Sequence, residues 1–504
     1  MSQPADDQSE RSLPEQQQLR QDKRARLLQS GADPYPADLR RDHTLAQLRA
    51  QYAGLAVGEE TQDVVTTGGR VIFLRNGGKL CFATLEDGFT AADDGERLQV
   101  MVSLAEIGEQ GLAAWKADVD LGDFVWVRGR VISSRRGELS VLASEFRLAS
   151  KALRPLPTLH KELSDEARVR QRYLDLLVRP EARQMVRTRV LITRTIRTEL
   201  ENQGFLEVET PVLQTTHGGA TARPFTTHLN AFDIDMYLRI ALELHLKRTM
   251  VGGADRVYEI GRVFRNEGVD SNHSPEFTML EAYQSWGDQF TIAEVLKKII
   301  LACADALGSR QIETPGGVVD LDGEWVWLPV YDGLSAYLGE PITPLTPLDR
   351  LRDIADANQV PWQPFWTDQK MVIQLFGELV EKTLTQPTFV CDFPAIAQPL
   401  ARPHRSKPGC IEAWDLMIGG LERGTGFSEL IDPVIQRQVL TAQSLAAAAG
   451  DPEAMELDED FLAALEQGAP PMGGLGLGID RLVMLFTGAG IRETILYPLL
   501  RPQG

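Results

Sequence analysis

Two alternating segments near the middle of the chain constrain the fold more than any other feature. The segments VYEIGRVFR (Val257–Arg265) and EFTMLEAYQSW (Glu276–Trp286) both alternate with the period of a β-strand. The intervening segment NEGVDSNHSP is too long and too polar for a tight hairpin turn. We therefore predict two neighbouring strands that are joined by a long polar loop.

The second of these strands carries polar groups on its apolar side. A period of two places an aromatic ring, a thioether, a carboxylate and a phenol on one face: Phe277, Met279, Glu281 and Tyr283. The adjacent loop adds Arg265, Glu267 and His273. A strand that serves only for packing rarely places a glutamate among apolar residues, because a buried unpaired charge is costly. These residues are predicted to line a functional site.

A later segment adds three more carboxylates. The sequence AWDLMIGGLERGTGFSELIDP (Ala413–Pro433) places Asp415, Glu422 and Glu429 within apolar strands that glycines interrupt. Buried carboxylates are costly unless cations compensate their charge. Three together indicate a metal–phosphate site, a cationic substrate, or both.

Near the C-terminus, GGLGLGIDRLVMLFTG (Gly473–Gly488) has glycines at alternate positions and then an apolar helix. Alternating glycines allow a ligand to approach the backbone closely. Arg481 in the first helical turn opposes the helix dipole, which suits a residue that faces a phosphate. A packed glycine-rich strand is the alternative interpretation.

The N-terminal part of the chain has a different pattern. Between about Val64 and Ala149, glycine or charged residues separate five short alternating segments, with a predicted helix at Leu104–Ala117. This order matches a five-stranded OB-fold barrel, and another small barrel or a sandwich would also fit. Before it, the predicted helix Leu13–Ser30 has a basic face, which we expect either to be solvated or to contact RNA.

Composition limits the class of protein. The 504 residues, 43% of them apolar, are enough for two or three domains with real cores. No run approaches the roughly 18 apolar residues of a membrane span, and the polar N-terminus predicts no secretory signal. Four scattered cysteines fit a reduced cytoplasmic chain and argue against a zinc site. A net charge of −19 argues against indiscriminate coating of nucleic acid, although not against selective RNA binding.

Together these segments resemble the three signature motifs of class II aminoacyl-tRNA synthetases. The motifs are a strand that ends in proline (GFLEVETP), the FRNEG loop with its following strand, and the glycine-rich strand with GIDR. Four further segments narrow the resemblance to lysyl-tRNA synthetases: RQRYLDLL (Arg170–Leu177), GGATARPF (Gly218–Phe225), DMYLRIALELHLKR (Asp235–Arg248) and GFSEL (Gly426–Leu430). The resemblance covers nearly the whole chain. It implies an α+β multidomain fold, with an antiparallel catalytic sheet of six or seven strands, and a homodimer joined through the first motif.

The predicted division of the chain follows from these motifs and from the shifts in composition. An N-terminal extension with a basic helix (1–60) precedes an OB-fold anticodon-binding domain (61–150) and a linker (151–178). A class II catalytic domain (179–504) follows, with a mostly helical insertion at about 291–385.

The implied activity is ATP-dependent lysine–tRNA(Lys) ligation. L-lysine would be activated to lysyl-adenylate and then transferred to the 3′-terminal adenosine of tRNA(Lys), with Mg²⁺ as cofactor. Arg265 and Arg481 would be catalytic, because they would neutralise charge on the reacting phosphate and on the leaving pyrophosphate. The implied enzyme is cytoplasmic, and no membrane partner is expected.

The resemblance also assigns a lysine pocket residue by residue. Glu243 and the backbone of Gly219 would bind the α-amino group of lysine, and Arg265 would bind its carboxylate. Glu429 and Tyr283 would bind the ε-ammonium group by charge-assisted hydrogen bonds. Three further residues would complete the pocket: Glu281, Thr425 and Phe427.

For ATP, the implied residues are Arg265, Glu267, His273, Phe277, Glu422 and Arg481, with Phe277 stacked on the adenine. Asp415 and Glu422 would bind magnesium, which prefers hard oxygen ligands.

In the barrel, the resemblance assigns anticodon recognition to Phe82, Gln99 and Glu145, because an aromatic ring can stack on a splayed base while polar groups bond to base edges. Without the resemblance, Phe82 would be interpreted as a core aromatic residue. Arg70 and Arg75 are expected to contact the RNA backbone.

The chain departs from the family pattern at Thr425, where the family usually has asparagine. The Gly-Thr pair resembles the synthetase half of bifunctional enzymes that make lysylphosphatidylglycerol. This difference leaves an alternative function, in which a paralogue activates lysine or an analogue for a non-tRNA acceptor or for lipid lysylation. A nonenzymatic RNA-binding module and an aspartyl or asparaginyl specificity are further alternatives, although Glu429 and Tyr283 would then have no ammonium group to bind.

Overall fold

The computed structural model describes residues 15–90, 95–157, 163–448 and 455–501. The contacts between residues divide the chain into two compact units, Met1–Arg187 and Thr188–Gly504. Among the described residues, no helix combines the length and the apolar character that a bilayer crossing requires.

The first unit is built around a closed five-stranded barrel. Its strands are β1 (Glu60–Asn76), β2 (Leu80–Glu86), β3 (Arg97–Ser103), β4 (Phe124–Ser133) and β5 (Leu139–Ser150). Its helices are α1 (Glu15–Gln29), α2 (Leu45–Gln51), α3 (Leu104–Asp118), α4 (Asp165–Arg170) and α5 (Arg172–Val178). The strand order β1-β2-β3-β5-β4, with α3 between β3 and β4, confirms the predicted OB-fold.

Alternation within the barrel strands creates its core. Along β2, Cys81, Ala83 and Leu85 point inwards and are fully buried, while the residues between them are partly exposed. Trp115 of α3 packs edge-to-face on Phe146 with the ring centres 5.0 Å apart, so the helix closes one end of this core.

The basic face of α1 contacts the barrel. The guanidinium of Arg20 donates to the carbonyl oxygens of Leu121 and Ala152, at 2.8 and 3.0 Å. Lys23 and Arg26 form ion pairs with Asp120 and Asp118 at 2.7 and 2.5 Å. These basic residues therefore hold the helix on the barrel. Arg20 is buried and Lys23 is half-buried, so these two do not form the solvated face that the charge pattern suggested, whereas the side chain of Arg26 is 55% exposed.

The second unit centres on an eight-stranded sheet. Helix α6 (Pro180–Asn202) crosses the boundary between the units. The strands that follow it are β6 (Leu206–Glu207), β7 (Leu213–Gln214), β8 (Phe225–Leu229), β9 (Ile234–Leu238), β10 (Arg256–Phe264), β11 (Glu276–Ser285), β12 (Gln311–Thr314), β13 (Gly317–Asp320), β14 (Val326–Pro329), β15 (Thr388–Cys391), β16 (Ala413–Ile418), β17 (Leu421–Ser428) and β18 (Met472–Gly478). Its helices are α7 (Glu243–Val251), α8 (Gln289–Leu307), α9 (Val330–Leu338), α10 (Leu348–Ala357), α11 (Asp368–Leu379), α12 (Pro433–Ala448), α13 (Glu459–Glu466), α14 (Ile479–Thr487) and α15 (Ile491–Thr494), with a 3₁₀ turn at Glu381–Thr383.

The order β14-β15-β16-β17-β18-β11-β10-β6 confirms an antiparallel sheet at its centre. The expected count of six or seven strands was wrong, because a short strand is added at each edge. β6 pairs in parallel with β10, and β14 pairs in parallel with β15. Both strands are too short to show an alternating pattern in the sequence.

The segment 291–385 is less helical than predicted. It contains most of α8 and all of α9, α10 and α11, but a hairpin of β12 and β13 and the edge strand β14 lie among them. Gly317 has a φ of 113° at the hairpin turn, a conformation that favours glycine. The glycine pair at this turn is the sequence signal for the hairpin.

Candidate active site

The central strands bring the predicted residues into register. Glu281 on β11 lies opposite Gly476 on β18, which lies opposite Thr425 on β17, which lies opposite Asp415 on β16. Directly paired residues of an antiparallel sheet project to the same face. Two carboxylates and a hydroxyl therefore share one row, with a glycine between them that leaves open space above the sheet.

A second row runs beside the first. Tyr283, Gly474 and Phe427 are directly paired on the same three strands. An added Cβ at Gly474 would collide with the side chains of Glu429 and Tyr283. Glycine at this position therefore allows a carboxylate and a phenol to lie close to the strand on the face that a side chain would otherwise occupy.

A cleft lies above these strands. It is lined by residues of β11, β17, β18, the loop after β10 and the start of α14: Arg265, Glu267, Gly268, Asn272, His273, Ser274, Phe277, Met279, Glu422, Arg423, Gly424, Thr425, Gly476, Gly478, Asp480, Arg481 and Ile491. All six residues assigned to ATP line it, so the structure brings that predicted set together.

Arg265 and Phe277 form one wall of the cleft. The guanidinium carbon of Arg265 lies 5.3 Å from the centre of the Phe277 ring, and its Nε donates to the carbonyl of Ile240 at 3.3 Å. Burial lowers the pKa of Arg265 below its usual value. Glu267, on the exposed loop, accepts from the backbone N–H of Arg223 at 3.3 Å. The wall thus combines a stacking surface with a partly desolvated cation.

Arg481 and His273 form the opposite, more exposed end. Nη1 of Arg481 lies 3.3 Å from Oε2 of Glu422, and its Nη2 lies 3.4 Å from Nε2 of His273. The other ring nitrogen of His273 contacts Asp270, 2.9 Å away. Two basic side chains at one end of a cleft suit a polyanionic ligand.

Asp480, which sequence analysis did not single out, anchors the first turn of α14, the turn that carries Arg481. Its carboxylate accepts from Nη1 of Arg189 at 2.5 Å and from the backbone N–H of Thr278 at 2.7 Å. Asp480 is buried, so α14 is attached to β11 and α6 by charged hydrogen bonds. The GIDR sequence gave a signal for this residue, since a carboxylate among apolar helix residues needs a partner.

Asp415 and Glu422 lie on the hairpin of β16 and β17. Burial, and then the negative charge of Glu422, raises the pKa of Asp415 well above its usual value. Two neighbouring carboxylates beside a cleft suited to phosphates fit a Mg²⁺ ion that takes its remaining ligands from phosphate and water. Among the described residues, no group of three or more His, Cys, Asp or Glu forms a protein-only metal site.

Beside the cleft lies a buried acidic cluster, which we call the acidic pocket and which consists of Glu243, Glu281, Tyr283 and Glu429. The hydroxyl of Tyr283 donates to Oε2 of Glu281 at 3.0 Å, and the backbone N–H of Leu242 donates to Oε1 at 2.9 Å. Burial, and then the charge of Glu243, raises the pKa of Glu281 to about 8.

Glu429 is the least satisfied of these carboxylates. Within the described parts of the chain, its Oε1 accepts no hydrogen bond. Burial raises the pKa of Glu429 well above its usual value. A buried carboxylate oxygen without a donor is strongly destabilising unless a cationic ligand supplies one.

Gly219, which the resemblance assigned to the lysine pocket, lies beside Glu243. It has a φ of 87°, and an added Cβ would lie 3.2 Å from the Cβ of Glu243. The backbone of Gly219 can thus approach a ligand that the Glu243 carboxylate also contacts. Phe427 is buried on the other side of the pocket.

Lys247 was missed by sequence analysis, although it is fully buried in this pocket. Its Nζ donates to Oε1 of Glu243 at 2.6 Å and forms an ion pair with Oε2 of Glu429. The spacing of four residues between Glu243 and Lys247 on a helix was the available signal.

Thr425 lies between the cleft and the acidic pocket. Its hydroxyl donates to the backbone carbonyl of Trp414 at 3.3 Å. It also lines the cleft.

In the barrel, the three residues assigned to the anticodon lie on the consecutive strands β2, β3 and β5. Phe82 and Gln99 face outwards and are partly exposed, and Glu145 is exposed. Oε1 of Gln99 accepts from the hydroxyl of Ser140 at 3.0 Å. Arg70 donates to the carbonyl of Gly122 at 2.9 Å and stacks on Phe124, so it supports the barrel.

Two family descriptions match this chain. Residues 164–501 match "tRNA synthetases class II (D, K and N)", and residues 65–149 match "OB-fold nucleic acid binding domain". The first match covers more than half of the chain and includes every residue of the cleft and the acidic pocket.

Curated lysine–tRNA ligases match this chain over almost their full length. The chain is 58% identical to a lysine–tRNA ligase of Mycobacterium bovis (strain BCG / Pasteur 1173P2), over 97% of this chain and 98% of that protein. It is 57% identical to a lysine–tRNA ligase of Mycolicibacterium gilvum (strain PYR-GCK), over 97% of each. With the lysylphosphatidylglycerol biosynthesis bifunctional protein LysX of Mycobacterium avium (strain 104) it shares 46% identity, over 97% of this chain and 41% of that protein. The ligases are thus more similar to this chain than the bifunctional protein is.

Proposed function

This chain belongs to the class II tRNA synthetases and, within them, to the lysine–tRNA ligases, and we propose that its cleft and acidic pocket are where ATP and lysine react. ATP, lysine and tRNA are its substrates. The observation that carries the proposal is the group of buried carboxylates beside a cleft suited to phosphate.

The acidic pocket has the chemistry to select lysine. Glu429, with an oxygen that lacks a donor, would accept the ε-ammonium group, and Tyr283 would fix its direction. Glu243 and the backbone of Gly219 would bind the α-amino group. A neutral side chain in this pocket would leave the buried carboxylates uncompensated.

The first step is the attack of the lysine carboxylate on the α-phosphorus of ATP. The carboxylate is already charged, so the step needs no general base. Arg265 would bind this carboxylate and the α-phosphate together, and thus orient attack and neutralise charge. Phe277 would stack on adenine, with Glu267 beside it.

The leaving pyrophosphate would be stabilised by Arg481 and His273 at the exposed end of the cleft. Asp415 and Glu422 would hold Mg²⁺, which supplies positive charge to the phosphate oxygens when it is bound. In the second step the terminal ribose hydroxyl of tRNA(Lys) attacks the carbonyl of lysyl-adenylate, and AMP leaves.

The barrel would read the anticodon. Phe82 would stack on a base, while Gln99 and Glu145 would bond to base edges. Arg75, exposed and directly paired with Phe82, would contact the RNA backbone.

We also place a homodimer at the first motif. β6 lies at an edge of the sheet, and Leu206 and Leu213 in this segment are 59% and 44% exposed. Exposed apolar residues on an edge strand favour association with another chain. The cytoplasm is the proposed location.

The experiment that tests the proposal is ATP–pyrophosphate exchange with purified protein and Mg²⁺, with lysine, ornithine or asparagine. We expect exchange that depends on lysine and is weak with the other two. Charging of a tRNA(Lys) transcript should follow. Exchange without charging would favour the non-tRNA acceptor, and no lysine-dependent exchange would contradict the proposal.

A further inference from the structure

A buried ammonium group lies inside the pocket that would recognise ammonium groups. Lys247 on α7 is 1% exposed. Its Nζ contacts both Glu243 and Glu429, and lies 5.5 Å from the centre of the Phe427 ring. The two carboxylates proposed to bind the two amino groups of lysine are therefore connected through a cation of the protein.

The electrostatic effect of this contact acts on both carboxylates. Burial raises the pKa of Glu243 and of Glu429, and the positive charge of Lys247 opposes that rise in each case. Although burial favours the neutral amine, the two carboxylates raise the pKa of Lys247 above its usual value. Lys247 therefore favours the charged forms of Glu243 and Glu429, while burial acts against them.

We propose that Lys247 is a positioning residue of the lysine pocket, which keeps Glu243 and Glu429 ionised and correctly spaced before lysine arrives. This inference rests on the proposed lysine site and adds a residue to it. Lysine would then bind through the oxygens that Lys247 leaves open, such as Oε1 of Glu429.

The charge of Lys247 affects the protonation of the two carboxylates. In the empty pocket, Lys247 supplies one positive charge in direct contact with both Glu243 and Glu429. Without Lys247 this shared cation would be lost, so one of the two carboxylates would take up a proton. That proton would have to leave when the second ammonium group of lysine binds.

Two other titratable groups face this site, Glu281 and Tyr283 of β11. With a pKa of about 8, Glu281 is protonated at pH 6.5, and it could itself release a proton when lysine binds. A Glu281→Gln background removes this contribution, because glutamine imitates the neutral carboxyl group. The pKa of Tyr283 is raised well above its usual value, so it stays neutral.

The test is the number of protons released when lysine binds the full-length protein. Calorimetric titration at pH 6.5, in two buffers of different ionisation enthalpy, gives this number. Both amino groups of free lysine are protonated at that pH, since their pKa values lie above about 7.7. We expect no proton release in Glu281→Gln and about one in Glu281→Gln with Lys247→Gln.

Two further results follow from the same reasoning. In the Lys247→Gln double variant, the lysine Kd should rise about tenfold for each unit that the pH falls. With Lys247→Arg instead, the charge is kept, and the proton count should return to zero. A merely structural role for Lys247 would change stability without this change in proton count.

If Glu281→Gln released one or more protons on binding lysine, the inference would be overturned, even if the Lys247→Gln variant failed to fold. A folded double variant that released no proton on binding lysine would overturn it too. Failure of the wild-type protein to bind lysine at all would instead contradict the proposed function, so the two failures are distinguishable.

Discussion

Replacement of Glu429 by glutamine should selectively remove lysine recognition. The Glu429 carboxylate is buried, forms an ion pair with Lys247 and has one oxygen without a hydrogen-bond donor. Glutamine has nearly the same shape but no charge. The ε-ammonium group of lysine would then enter a buried site without its counter-charge.

The size of this effect follows from the burial of the Glu429 carboxylate. Removal of one partner from a buried, hydrogen-bonded charge pair costs about 2–5 kcal/mol. That corresponds to a loss of about 30- to 5,000-fold in kcat/KM for lysine. Lys247 remains paired with Glu243 in the variant, so we expect the lower half of this range.

The assay is lysine-dependent ATP–pyrophosphate exchange, with KM measured separately for lysine and for ATP. The KM for lysine should rise while that for ATP changes little, because Glu429 does not line the nucleotide cleft. Glu294→Gln is a matched control, since Glu294 is an exposed carboxylate on α8 and should behave as wild type. A KM for lysine within twofold of the wild-type value in Glu429→Gln would refute this reasoning.

The remaining predictions concern ATP, the metal, the barrel and stability. Arg481→Ala should raise the KM for ATP more than that for lysine in the exchange assay, because it removes a cation at the phosphate end; equal changes in both would contradict its role. Chelation of Mg²⁺ should abolish exchange, and added Mg²⁺ should restore it; full activity in excess chelator would argue against the metal. Phe82→Ala should weaken tRNA charging by about 5- to 150-fold, because one stacked base contributes about 1–3 kcal/mol to binding. Pyrophosphate exchange should be unchanged. Unaltered charging would leave Phe82 as a packing residue. Asp480→Ala should lower the free energy of unfolding, measured by urea denaturation, by about 3 kcal/mol, because Arg189 loses a buried partner. A decrease of less than about 1 kcal/mol would contradict the anchoring role of Asp480.

Strong local patterns in the sequence predicted the elements around the site closely. The expected strands Val257–Arg265 and Glu276–Trp286 are observed as β10 and β11, within one residue at each end. The glycine-rich strand and the helix after it are observed as β18 and α14. These segments alternate clearly because apolar residues that pack into the core alternate with residues that line the cleft or the acidic pocket.

Contacts between distant segments were not predictable in the same way. The pairing of Lys247 with Glu243 is local, but its contact with Glu429 depends on how α7 packs beside β17. Likewise, the basic residues of α1 showed their charge in the sequence, but not that Asp118 and Asp120 would pair with them.

Short or interrupted elements were also hard to predict. Two short helices, α4 and α5, meet at Gln171, which has φ −114° and ψ 51° and so ends the first helix. The two-residue strand β6 has too few residues for any period to appear. In such segments tertiary contacts outweigh local preference.

The most direct test of the central claim is a crystal structure with lysine and a non-hydrolysable ATP analogue. The ε-ammonium group is expected within about 3 Å of the Glu429 carboxylate, with the carboxylate of lysine on Arg265 and the triphosphate between Arg265 and Arg481. An ε-ammonium group directed into solvent, or a nucleotide bound outside the cleft, would contradict it.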